Sequence, residues 1–191
     1  MSKLSEAKIL GGIGALLMLI GGSIFAGIGA IVGLILIFIA VRYISDETKD
    51  NSIFDNYLMH FIFIIIAIVA FIAIFFASIG GFTFFSALEQ LNPADPMDVW
   101  EFLQPYIMWW VIGGLIAWIF LIVSAMYLRK SYNSITKHTN VSYFKTTATL
   151  FLIGAVSAII LIGFLIIIVA MVIEIIAFFM IPDKLPPSKE T

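Results

Sequence analysis

ILGGIGALLMLIGGSIFAGIGAIVGLILIFIAV, residues 9–41, carries no charge and holds eight glycines, at positions 11, 12, 14, 21, 22, 27, 29 and 33. As one helix rising 1.5 Å per residue it would be about 50 Å long, against a bilayer hydrocarbon core of roughly 30 Å. A single crossing is too short to use it. Glycine weakens helix interiors and admits the positive φ of tight turns, so the cluster Gly21, Gly22 and Gly27 predicts a break. The expectation is a hairpin of two short helices, 4–20 and 26–44. Gly29 and Gly33 are small residues four apart, a spacing that lets helix backbones approach closely in lipid.

The rest of the chain fits that reading. Of its 191 residues, 62% are hydrophobic and 12% charged, whereas a soluble domain has roughly 45–50% and 25%. The fold class expected is therefore all-α, a polytopic transmembrane helical bundle. A net charge of −2 and the lack of a basic stripe argue against nucleic acid. The absence of cysteine excludes disulfides and thiolate chemistry. Lys3 and Lys8 before an apolar run resemble a signal peptide's start, but Glu6 lies between them and the run continues to Val41.

Two long spans are expected next, at 53–79 and 106–128. Ser52 with Asp55 resembles a capping box, which would start the first span near Ile53. The connecting stretch 82–104 contains four carboxylates and no Lys or Arg. Asp95 before Pro96 suits an N-cap and first helical position, with Val99, Phe102 and Leu103 as the apolar face of a short amphipathic helix. Trp100, Tyr106, Trp109 and Trp110 read as an interfacial aromatic belt. Gly113, Gly114 and Ala117 form another small face. Residues 129–145 are polar and basic and read as a loop, in which Asn140, Val141 and Ser142 match a glycosylation acceptor that the topology argued below places on the wrong side for it.

Residues 146–181 repeat the opening problem. Gly163 is the expected break, giving segments 144–162 and 164–181, and Ile153-Gly154-Ala155 faintly echoes Ile13-Gly14-Ala15. The tail, PDKLPPSKET, is expected to be extended or disordered.

Charge placement tests this topology independently of length. Lys and Arg stand at positions 3, 8, 42, 49, 129, 130, 137, 145, 184 and 189. If both long runs are hairpins, all ten fall on one side, as the positive-inside rule favours. Single crossings would divide them six and four; a single C-terminal span alone would strand Lys184 and Lys189. Six segments with both termini cytoplasmic is the expected arrangement.

Two polar groups interrupt the apolar runs. His60, about a turn inside its span, reads as an interfacial ring reaching headgroups or a backbone carbonyl. Glu174 is the only ionisable residue deep inside a predicted span. It lies nine residues before Asp183, about 13 Å along a helix, and so is placed near mid-bilayer. Such residues are candidate proton or ion sites. The bland alternative is interhelical glue, with a hydroxyl such as Ser124 or Ser157 as partner.

The segments LSEAKILGGIGALLMLIG (4–21), GLILIFIAVRYISD (33–46), IFDNYL (53–58) and FKTTATLFLIGA (144–155) resemble a family of small, mainly archaeal multi-pass membrane proteins, the domain of unknown function 996. The resemblance implies a prokaryotic cytoplasmic membrane and carries no activity, cofactor or catalytic residue across. It points to the inner-face stretch 45–56, with Asp46, Ile53, Phe54 and Asn56, as a candidate interaction surface. The functional expectation is a non-enzymatic interaction or assembly module, its partners the lipid bilayer and a membrane protein or a second copy. The alternative is a small proton- or cation-linked transporter using Glu174. No metal or cofactor site is expected.

Overall fold

A computed structural model describes residues 2–24, 28–78 and 96–186. Among these residues every regular element is helical: α1 (Lys3–Ile24), α2 (Ile28–Thr48), α3 (Asn51–Ser78), α4 (Pro96–Thr139), α5 (Tyr143–Ser157), a 3₁₀ turn (Ala158–Ile160) and α6 (Ile162–Phe179). All six α-helices include a stretch long and apolar enough to cross a membrane. The chain divides into two compact units, residues 1–62 with 122–191, and residues 63–121.

Both apolar runs fold as hairpins, but the glycines do different work from that expected. α1 continues through Gly21 and Gly22 to Ile24, so these are helical residues, and α2 begins at Ile28. Gly27 lies outside the described residues. Gly21 is a contact point: a Cβ there would lie 2.5 Å from the backbone nitrogen of Ala30 and 2.7 Å from Cα of Gly29. One at Gly14 would lie 2.7 Å from the carbonyl oxygen of Gly33. No side chain fits between the two backbones at these levels. Two glycine pairs thus set the approach of α1 and α2, as small residues do where packing drives helix association.

The C-terminal hairpin repeats the device. Its break is the 3₁₀ turn and Leu161, which takes φ of 62°, while Gly163 sits just inside α6. A Cβ at Gly154 would lie 3.0 Å from the Gly163 carbonyl oxygen, and one at Gly163 would lie 2.5 Å from Cα of Ala158. The Ile-Gly-Ala echo is therefore positional: Gly14 and Gly154 are each the crossing residue of a hairpin. Ala15 and Ala155 are buried beside them, and Ile13 and Ile153 are exposed.

α3 begins at Asn51, and its cap is Asp50. Oδ1 of Asp50 accepts from the Ser52 backbone N–H at 3.0 Å and from the Ser52 hydroxyl at 2.6 Å. An N-cap carboxylate satisfies an orphan N–H of the first turn in this way. The cap therefore stands two residues before the expected Ser52.

α4 differs most from expectation. It is a single helix of 44 residues, about 66 Å long, which joins the short amphipathic helix, the span and most of the expected basic loop. Pro96 is its first residue, as predicted, and it passes through Pro105. Val99, Phe102 and Leu103 are half-buried while Asp98 and Glu101 are exposed. Past Arg129 the helix persists because Leu128, Ser131, Tyr132, Ile135 and Thr139 form a buried stripe at three- and four-residue spacing, with Arg129, Lys130 and Lys137 exposed opposite. It stops at Asn140, which takes φ of 59° and donates its N–H to the Thr136 carbonyl at 2.9 Å. Asn is one of the few residues that suits this left-handed cap.

Within the unit 63–121, aromatic rings line the contact of α3 with α4. Phe63 stacks on Phe120 at 6.1 Å and Phe75 on Trp110 at 5.4 Å. Of the expected small face, Gly113 receives Ile74, whereas Gly114 faces open space.

Within the other unit, several ends of the chain gather. Lys3 Nζ reaches Asp46 at 3.3 Å, the Ser2 hydroxyl donates to the Asp183 carbonyl at 2.8 Å, and His138 Nε2 meets Asp50 at 3.0 Å. The start of α1, the α2–α3 junction, the end of α4 and the tail thus share one end, an arrangement that requires both runs to return. The described part of the tail, 182–186, is non-helical, as expected, yet anchored: Ile181 before it is buried and Leu185 packs against the core.

Candidate functional site

Four helices converge on Glu174. It projects from α6 one turn before Phe178 and keeps only 4% of its surface exposed. The hydroxyl of Tyr132, on α4, donates to its Oε1 in a short hydrogen bond. Tyr132 is fully buried, and its ring stacks nearly parallel to that of Tyr57 on α3 at 6.3 Å. Phe144 on α5 closes the group edge-on, 5.2 Å from Tyr132 and 5.1 Å from Phe178. A carboxylate enclosed this way needs hydrogen bonding to offset its desolvation, and the Tyr132 hydroxyl supplies part of it.

This geometry corrects one expectation. Glu174 bonds neither Ser124 nor Ser157: Ser157 turns back onto the Ile153 carbonyl, and Ser124 is taken by His60. Tyr132 escaped sequence reading because it lies in a stretch read as loop. The signal was present in the spacing of Leu128, Ser131, Tyr132, Ile135 and Thr139.

The His60 ring reaches a backbone carbonyl, one of its expected partners. Its Nδ1 lies 2.7 Å from the Ser124 hydroxyl and 3.1 Å from the Ser124 carbonyl, and that hydroxyl also reaches the His60 carbonyl at 3.0 Å. The pair links α3 to α4.

The inner-face candidates are largely consumed internally. Ile53 is fully buried and its carbonyl accepts from the Ser131 hydroxyl at 2.7 Å. Phe54 packs edge-on against Phe38 at 4.9 Å, beneath the Arg42 guanidinium at 4.6 Å. Asn56 donates to the Ser52 carbonyl at 2.6 Å. Asp46 alone of the four is exposed, between Lys3 and Arg42, each at 3.3 Å. Exposed pairs of this kind contribute little to stability.

Asp50 is the structural centre of that stretch. Its carbonyl accepts from Ser45 at 2.9 Å, and its carboxylate caps α3 and meets His138. The Ser52 hydroxyl, and after it His138, hold its carboxyl below the usual value of 3.8, against the opposing effect of partial burial. A lowered folded-state value makes the stabilisation complete above the unfolded pKa and removes it as pH falls through the lower folded one. Asp50→Ala is therefore expected to cost about 1 kcal/mol near neutrality, in line with loss of a helix cap. The difference from wild type should narrow below pH 4, as read from thermal unfolding midpoints of the purified protein across pH 3–7.

Among the described residues no three His, Cys, Asp or Glu side chains group as metal ligands. A model of the family described as "Protein of unknown function (DUF996)" matches residues 29–172. The chain belongs to this family. The uncharacterized protein MJ1644 of the archaeon Methanocaldococcus jannaschii is 33% identical to it over 183 residues, covering 96% of each chain. No solved structure matches. The DUF996 match runs from Gly29 in α2 to Val172 in α6, so it includes one partner of each crossing glycine pair in the first hairpin, Gly29 and Gly33, and both Gly154 and Gly163 of the second. It also includes Tyr57, Tyr132 and Phe144, and stops two residues short of Glu174.

Proposed function

We propose that this DUF996 protein is a non-enzymatic interaction or assembly module of the prokaryotic cytoplasmic membrane, with both termini on the cytoplasmic side. The observation carrying this reading is that the two intramembrane polar groups that could serve transport, Glu174 and His60, are each bonded to a neighbouring helix, Glu174 to Tyr132 and His60 to Ser124. They act between helices, where a polar contact fixes which faces meet. The apolar side chains outside, such as Ile28, Ile31 and Ile35 along α2, are left for lipid, a membrane-protein partner or a second copy.

Proteoliposomes separate this from the competing reading, passage of a proton or cation through Glu174. The module predicts no proton or monovalent-cation flux above protein-free vesicles. It also predicts a cross-link to one discrete membrane protein, or to a second copy, from a photoreactive residue at position 31 in cells. Flux that Glu174→Gln abolishes would replace the module with a transporter.

A further inference from the structure

Thr147 carries a hydroxyl that the fold leaves without a bond. It is fully buried on α5, and its Oγ1 has no hydrogen-bond partner among the described residues. Threonine in a helix ordinarily turns its hydroxyl back onto the carbonyl four residues earlier. The neighbouring Thr149 does so at 2.9 Å and Thr146 at 3.5 Å. Thr147 does not, although a buried unpaired hydroxyl is costly.

The register of the hairpin sets its level. Phe144 meets Phe178 at one level, and further along Gly154 meets Ile167 and the Gly163 carbonyl. Between these fixed points, one turn on from Phe144 is Thr147 and one turn back from Phe178 is Glu174. Both side chains are on the buried face, and no direct bond joins them. Tyr132 engages Oε1 of the carboxylate, and the Tyr57 ring stacks on that of Tyr132 at 6.3 Å.

We propose that the Glu174 carboxylate and the Thr147 hydroxyl form a binding site for one dehydrated monovalent cation, with Na⁺ the best fit. The donors are all oxygen, which suits a hard cation. A single carboxylate balances a single positive charge, whereas a divalent ion would leave net charge in a buried site. Thr147 lies in the second turn of α5 and Glu174 five residues from the end of α6, so the ion reaches the site from the polar end of the hairpin. The site stands whether or not the bundle assembles with a partner.

The test uses the purified full chain in detergent micelles. Thermal unfolding is followed in NaCl, KCl and choline chloride at equal ionic strength, and across a NaCl titration. Sodium is expected to raise the midpoint by several degrees over choline and to saturate, as a ligand of the folded state does. Thr147→Val, which keeps side-chain volume, should weaken the apparent sodium affinity at least tenfold while the protein still folds. Glu174→Gln should remove the sodium response; if that variant does not fold, Thr147→Val and the wild-type titration decide the matter. Equal midpoints in all three salts would overturn the proposal. So would an unchanged sodium response in Thr147→Val, or a shift in that variant equal in every salt, which would mark a bridging water.

Discussion

Gly33→Ala is expected to destabilise the protein by about 3 kcal/mol, the upper end of overpacking costs, because the added methyl meets backbone that cannot rotate aside. Its Cβ would lie 2.7 Å from the backbone nitrogen of Met18 and closer still to the Gly14 carbonyl oxygen. The two helices must then separate along their length, which also loosens Gly21 from Gly29. Thermal unfolding in mild detergent, with size-exclusion profiles to report aggregation, reads the effect. Gly163→Ala should behave similarly, since its Cβ would approach both the Gly154 carbonyl and Ala158. Gly114→Ala is the control: nothing lies within 4 Å of its Cβ. That variant should unfold at or slightly above the wild-type midpoint, because alanine favours a helix interior by up to about 1 kcal/mol.

Tyr132→Phe is expected to cost about 1–3 kcal/mol, because it removes a hydrogen bond to a carboxylate and leaves that group buried. Interhelical hydrogen bonds in membranes average nearer 0.6 kcal/mol. The larger figure applies here because the acceptor is a carboxylate and four helices meet around it. A double-mutant cycle with Glu174→Gln isolates the pair. If the two side chains act as one unit, the double variant should lose clearly less than the sum of the single losses. Strict additivity would mean that each matters only through its own packing.

The hairpin topology was legible in the sequence because it rests on two coarse quantities, the length of an uncharged run and the placement of ten cations. Local chemistry was less so. Glycine signals a turn and a close helix crossing with the same letter, and at Gly21 and Gly163 the crossing was the right reading. Leu161 shows the converse, since a branched residue took the positive φ of the turn. The candidate site was half legible. Glu174 stood out as a lone acid in an apolar run, but its partner sits among Arg129, Lys130 and Lys137, where composition suggested a loop. Only the stripe from Leu128 to Thr139 reveals that α4 continues, and Thr147 becomes visible only once register sets it opposite Glu174.

Impermeant thiol labelling in intact cells tests the central claim, that both apolar runs return to the side on which they start. The chain has no cysteine, so single substitutions give an unambiguous background. Cysteine in place of Ser23 or Asn92 is expected to react from outside. In place of Lys137, which is exposed, or Ser188 it should react only after lysis. Labelling of Ser188 from outside would contradict the C-terminal hairpin, and protection of Ser23 until lysis would contradict the N-terminal one.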